Sequence, residues 1–220
     1  MSSELRFRDR AEAGRLLVQQ LAEYANRSDV QVLALPRGGV PVAHEIAQRL
    51  GAPLDVFLVR KLGVPWHREL AMGAIASGGI EVLNEEVVRT YGIPRHVIDA
   101  VAAAEAQELD RRMREYRGVR PLPQLEGRVV MLVDDGIATG STMRAAVAAL
   151  RGQHPAEIVV AVPVAAVDTC ENLRQEVDRM VCLSTPQTFT AVGDWYDDFS
   201  QTSDEQVCAH LAEATARGTS

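Results

Sequence analysis

The sequence predicts an α/β fold built on a doubly wound parallel sheet. Three observations carry that expectation. Short apolar runs rich in β-branched residues recur at Val30–Leu35, Leu54–Val59, Val129–Val133, Glu157–Val164 and Arg179–Leu183. Runs of this kind suit strands buried on both faces of a parallel sheet. Stretches with helical periodicity separate them, which is the pattern of βαβ units. Two of the runs also end in glycine-bearing loops that open directly into a helix, where open α/β sheets collect ligands.

Composition narrows the function classes. The chain has 220 residues, enough for one α/β domain with a good core. Its 47% hydrophobic and 24% charged content is that of a soluble globular protein. A net charge of −7 argues against a nucleic-acid footprint. No apolar run approaches membrane-spanning length, and the opening MSSELRFRDR lacks the apolar core of a signal peptide. Cys170, Cys182 and Cys208 show no CxxC spacing and read as reduced thiols, so the expected compartment is the cytoplasm.

Taken in order, Asp9 is the expected N-cap of a first helix with Leu16, Leu17, Leu21 and Tyr24 on its apolar face. The first strand ends in Pro36-Arg37-Gly38-Gly39-Val40, and a helix follows through His44 to about Leu50. The glycines let main-chain N–H groups approach an anion closely, and Arg37 adds a fork of donors suited to phosphate oxygens. His44 reads as a packing or surface residue. The second strand, Leu54–Val59, ends in Arg60-Lys61, either two cations for an anion site or a solvated strand end. Residues 62–83 predict an irregular glycine-rich loop and then a hairpin, Leu70–Ile75 and Ile80–Leu83, around Ser77-Gly78-Gly79. His67 and Glu69 in that stretch are candidate acid–base groups, with solvated loop residues as the alternative. Two helices follow from Asn84, broken at Gly92-Ile93-Pro94. The second, to about Tyr116, reads as scaffold, and Arg117–Gly127 as a linker.

The stretch Val129–Thr142, VVMLVDDGIATGST, organises the rest. An apolar strand runs into Asp134 and Asp135. A loop with Gly136, Thr139 and Gly140 then leads to Ser141 and Thr142 at the start of an alanine-rich helix. The helix N-terminus offers unpaired N–H groups and a positive dipole end, which suit a phosphate. The two acids would repel that phosphate unless they serve sugar hydroxyls or a hydrated divalent cation. A nucleotide P-loop is a weak reading, because the glycines are four apart and no Lys precedes Ser141, and the dinucleotide Gly-x-Gly-x-x-Gly is absent. Near the C-terminus, Thr185–Phe199 breaks the strand–helix pattern. It gathers Phe189, Trp195, Tyr196, Phe199 and the pair Asp197-Asp198 in a chain with only 5% aromatics. It reads either as a cap on the core or as a hood that stacks a planar ligand.

The central stretch resembles the binding motif of type I phosphoribosyltransferases, enzymes that use 5-phosphoribosyl 1-pyrophosphate (PRPP). Together LPRGG, LVRKLG, LVDDGIATG and FTAVGDWYDDF resemble a bacterial group of predicted type I phosphoribosyltransferases with no assigned acceptor. The resemblance implies one phosphoribosyltransferase-like domain over residues 1–220, with a flexible loop and hairpin at about 62–83 and a hood at about 184–200. It implies that Ala138, Thr139, Gly140, Ser141 and Thr142 bind the 5′-phosphate. Asp134 and Asp135 would take the ribose hydroxyls, directly or through hydrated Mg²⁺. Arg37, Gly38, Gly39, Arg60 and Lys61 would hold the pyrophosphate. The hood is similar to that of hypoxanthine-guanine enzymes, which implies acceptor contacts from Phe189, Val192 and Trp195 and a metal contact from Asp197. Alanine at position 138 departs from those enzymes, which carry an Asp there, and puts guanine-type salvage in doubt. Glu69 is then the expected group for acceptor deprotonation. The implied partners are PRPP, a small-molecule nitrogen acceptor and a second copy in a homodimer, with no nucleic acid and no membrane. The alternatives are a non-catalytic PRPP sensor and a phosphate-binding α/β protein unrelated to PRPP.

Overall fold

The structure, a computed structural model, describes residues 5–218, without the side chains of residues 68, 69, 217 and 218. The elements run α1 (Arg10–Val18), β1 (Val30–Ala34), α2 (Gly39–Leu50), β2 (Leu54–Val56), β3 (Val59–Val64), β4 (His67–Ala76) and β5 (Ile80–Leu83). Then come α3 (Glu85–Thr90), α4 (Arg95–Arg117), β6 (Val129–Val133), α5 (Ser141–Arg151), β7 (Glu157–Val164), α6 (Val167–Glu176), β8 (Arg179–Ser184) and α7 (Asp204–Gly218). Among the described residues no helix is long and apolar enough to cross a membrane.

Five strands form a parallel sheet in the order β2-β1-β6-β7-β8. All residues of β1 and β6 are buried, as continuous apolar strands require. Alternate side chains of β6 serve two cores. Val129, Met131 and Val133 join Ile46 of α2, Leu109 of α4 and Leu211 of α7. Val130 and Leu132 join Met143, Val147 and Leu150 of α5 and Leu173 of α6. Each such side chain, fully buried, contributes about 1.5–3 kcal/mol. Helix ends follow local chemistry. Asp9 Oδ1 accepts from Glu12 N at 2.7 Å and Asn84 Oδ1 from Val87 N at 3.1 Å, and α3 and α4 break at Gly92-Ile93-Pro94.

The second strand departs from the sequence reading. The run Leu54–Val59 is not one strand ending at Arg60-Lys61. The chain leaves the main sheet after Val56, and β3, which contains Arg60 and Lys61, pairs antiparallel with β4. The strands β3-β4-β5 make a separate sheet. The hand-over is fixed by Phe57 N donating to Ala34 O, Leu58 N to Ser77 Oγ and Ser77 N to Leu58 O, each at 2.9 Å. Residues 62–69, expected as an irregular loop, are mostly strand. Register shifts on either side of Gly63 hide the two-residue alternation that would have shown it.

The linker after α4 is anchored by an ion pair. Arg117 donates from Nε to Asp55 Oδ1 at 2.7 Å and from Nη2 to Asp55 Oδ2 at 2.6 Å. The two side chains are 4% and 11% exposed. The same guanidinium donates to the carbonyls of Arg120 and Pro121, so one side chain ties the end of α4 and the linker to β2. Arg117→Leu leaves Asp55 buried and uncompensated and should cost about 3–5 kcal/mol, read from urea unfolding. Adding Asp55→Leu should restore most of that loss. A single-variant cost under about 1 kcal/mol would show that the pair does not anchor the linker.

Candidate functional site

The site is built where β6 stops. Asp134 and Asp135 lie beyond the last buried valine, and Asp134 Oδ1 accepts from Asp135 N at 2.9 Å. Asp135 is the clamped member. Arg10 Nε donates to its Oδ2 at 2.8 Å, with the two side chains 11% and 14% exposed. The Tyr196 hydroxyl donates to the Asp135 carbonyl at 2.6 Å. Arg10 also donates to Ser200 O at 2.7 Å and lies 4.0 Å over the Phe199 ring. The first helix and the aromatic segment therefore grip the acidic pair together.

Burial and the neighbouring Asp135 charge push the Asp134 carboxyl well above its ordinary range. Burial also raises Asp135, with Arg10 pulling in the opposite direction. Two carboxylates this close in a shielded site favour a partner of positive charge or one rich in hydroxyl donors.

The second loop packs directly on the acids. Strands β1 and β6 are neighbours, and Leu35 N donates to Val133 O at 2.8 Å. A Cβ on Gly38 would stand 1.9 Å from Asp135 Oδ2. One on Gly39 would stand 2.6 Å from Val133 O and 2.9 Å from Asp134 Cα. No side chain fits at either position. The peptide between Pro36 and Arg37 is cis. Arg37 points outward, one-third exposed, with Nη1 at 3.7 Å from Asp204 Oδ2.

On the other side of the acids, Gly136 to Gly140 leads into α5. Gly140 has φ +73°, and a Cβ there would meet Thr169 Cγ2 at 2.7 Å. Thr169 Oγ1 donates to Ala138 O at 2.7 Å, and Arg144 Nη1 to Thr139 O at 2.9 Å, which sets the loop. The Thr139 and Ser141 hydroxyls are 3.2 Å apart, and Thr139 and Thr142 are exposed. No side chain caps α5, so its first N–H groups have no side-chain acceptor, the condition a helix N-terminus needs to hold an anion.

The remaining predicted residues are dispersed. Lys61 is exposed on β3, while Arg60 pairs with Glu105 of α4 at 2.6 Å and faces the scaffold. The Glu69 side chain lies outside the described residues. Val192 covers the motif, since a Cβ on Gly136 would meet its Cγ1 at 2.5 Å. Trp195 is 7% exposed, packed with Phe7, Ala13, Val164 and Tyr196, and Phe189 leans on the same cluster. The indole is thus a core group with little free face, and Phe199 is the aromatic at the acids. Asp197 pairs with Arg6 at 2.7 Å, both well exposed.

Arg10 is the site neighbour that sequence reasoning missed; Tyr196 and Phe199 were read as hood aromatics, without their contacts to Asp135 and Arg10. One signal existed for Arg10. It opens α1, where the helix dipole favours an acid, so a cation there has another task.

A family model described as phosphoribosyl transferase domain matches residues 66–199, which hold the acidic pair, the α5 loop and the aromatic segment. Two Mycobacterium tuberculosis proteins, one from each of two strains, carry provisional phosphoribosyl transferase names. Each is 48% identical over 208 residues, covering 94% of this chain and 47% of the relative. The chain thus spans about half the length of the curated relatives it matches. A Thermus thermophilus crystal structure is 46% identical, with TM-score 0.86, covering 94% of this chain and 98% of that one.

The raised Asp134 carboxyl has a consequence for stability. The folded chain binds that proton more tightly than the unfolded chain, so this group's contribution worsens as pH rises from its ordinary value through the raised one. Asp134→Asn keeps the acceptor for Asp135 N and removes the charge. It should raise the melting temperature of the ligand-free protein at pH 8, with the gain shrinking as pH falls toward about 4. A gain independent of pH would contradict the shift.

Proposed function

The chain belongs to the phosphoribosyl transferase family, and we propose that it moves the 5-phosphoribosyl group of PRPP to a nitrogen nucleophile, releasing pyrophosphate. One observation carries the reading. The side-chain-free Gly38-Gly39 backbone rests on Asp134-Asp135, so two anion-suited loops flank one acidic pair. A sugar phosphorylated at both ends needs that arrangement.

The geometry supports the following roles. The open N–H groups at the start of α5, with the Thr139, Ser141 and Thr142 hydroxyls, take the 5′-phosphate. Asp134 and Asp135 take the ribose 2′- and 3′-hydroxyls. Arg37, the Gly38 amide and Lys61 hold the pyrophosphate, while Gly39, whose N–H donates to Leu35 O at 3.1 Å, lets the loop approach closely. An all-oxygen pair of carboxylates is also the donor set Mg²⁺ prefers, and a cation beside them would restore their ionised forms. When bound, Mg²⁺ would supply charge neutralisation at the departing pyrophosphate. The bond from C1 to the pyrophosphate oxygen breaks as the nitrogen bond forms, through a sugar with oxocarbenium character. Fixed carboxylates below the ring favour that positive charge, and Arg10 and Tyr196 keep Asp135 from turning away. Ala138 offers no side-chain hydrogen bond to an acceptor, which argues against selection of a 6-oxopurine at this position. The acceptor we favour is a nucleobase or another aromatic amine.

The test is a panel of nucleobases and aromatic amines with PRPP and Mg²⁺, reading pyrophosphate release. At least one acceptor should give sustained release, and Asp134→Asn with Asp135→Asn should reduce it by about a hundredfold or more. Full activity in the double variant would remove the assignment. A PRPP-induced rise in melting temperature with no turnover across the panel would make the chain a PRPP-binding sensor instead.

A further inference from the structure

A second cluster lies away from the acids, between α2 and α7. His44 sits on α2 with its side chain 9% exposed. His210 and Glu213 are three residues apart on α7, so they share one face of that helix. The two imidazole rings stand 4.6 Å apart, and His44 Nε2 is 3.4 Å from Glu213 Oε2. One ligand atom from each of the three lies within 4.8 Å of the others. The Nδ1 atoms of both histidines are buried with no hydrogen-bond partner. Unpaired buried ring nitrogens in two touching imidazoles point to a missing partner shared by both.

We propose that His44, His210 and Glu213 form a binding site for one transition-metal divalent cation of the zinc class, which clamps α7 onto α2. Two imidazoles and one carboxylate are the donors of Zn²⁺, Co²⁺ and related ions, whereas Mg²⁺ takes oxygen ligands. Ligands about 2.0–2.1 Å from a tetrahedral ion stand roughly 3.3 Å apart, so small side-chain rotations close the set. Glu213 is 59% exposed, which leaves the fourth position to water. Glu45, the next residue on α2, is engaged by Arg15 at 2.9 Å and is not needed. The site would have consequences at a distance. Helix α2 opens from the Arg37 loop and α7 begins at Asp204, which faces Arg37. A cation between the two helices would fix the spacing of that pair.

The test uses the full chain stripped with a chelator and titrated with Co²⁺, then with Zn²⁺ in competition. Wild type should take up one Co²⁺ per chain with visible d–d bands, release it to Zn²⁺, and melt at a higher temperature with Zn²⁺. Excess Mg²⁺ should not displace the Co²⁺. His210→Gln, at a half-buried position, should weaken Zn²⁺ binding at least about tenfold and abolish the melting shift. Should that variant fail to fold by circular dichroism, Glu213→Gln at an exposed position reads the same loss. Asp134→Asn with Asp135→Asn should leave the Co²⁺ bands in place, which separates this site from the acidic pair. No saturable uptake in wild type, uptake unchanged in the folded His210 or Glu213 variant, or bands lost with the Asp pair would each overturn the proposal.

Discussion

Contact between two bare glycines and two buried carboxylates is the constraint on which the rest of the site depends. Gly38 and Gly39 lie so close to Asp135 and Asp134 that even a methyl group would collide. That contact sets how near the Arg37 loop comes to the end of β6. It is possible only because β1 and β6 are adjacent and in register, with Ala34 opposite Val133. The buried valines and leucines of those two strands thus act at the site by holding two loops at a fixed separation. A sheet with its order changed would keep both sequence motifs and lose the site.

The same closeness creates an electrostatic problem, and distant parts of the chain answer it. Burial raises the proton affinity of both carboxyls, and the Asp135 charge raises Asp134 further. Arg10 arrives from the first helix and Tyr196 from the far end of the chain, so residues separated by 125 and 61 positions meet on Asp135. The Phe7–Tyr196 bridge and the cluster of Phe7, Trp195 and Tyr196 then hold the N-terminal segment against the aromatic one. Here the hydrophobic packing of the aromatic segment serves to deliver a countercharge.

Legibility from sequence followed range. The β6 stretch and the Arg37 loop are each contiguous, and their chemistry is written in a dozen neighbouring residues. The parallel sheet was equally readable, because each strand is one apolar run. What sequence could not show were relations between segments. Leu54–Val59 looked like a single strand because both sheets accept the same residue types, and only Ser77, eighteen residues beyond Val59, marks where one gives way to the other. Arg60 and Lys61 are neighbours in sequence, yet Arg60 faces Glu105 while Lys61 is exposed. Scarce aromatics left Trp195 either a cap on the core or a stacking ring, and its burial against Phe7 gives it a packing role. Arg10 gave only a faint signal, a cation at the wrong end of a helix dipole.

The contact of Arg37 with Asp204 makes the protein a competitor for its own cation. Any anion that takes Arg37 must first displace a carboxylate at the start of the last helix. The pair is long, at 3.7 Å, and both side chains are about one-third exposed. Such a pair contributes no more than about 1 kcal/mol, so displacing it weakens an incoming anion by at most about fivefold. The penalty is small, but it discriminates. A doubly charged phosphate overcomes it readily, whereas for a chloride or a single carboxylate, which Arg37 holds more weakly, the same fivefold loss takes a larger share of the affinity.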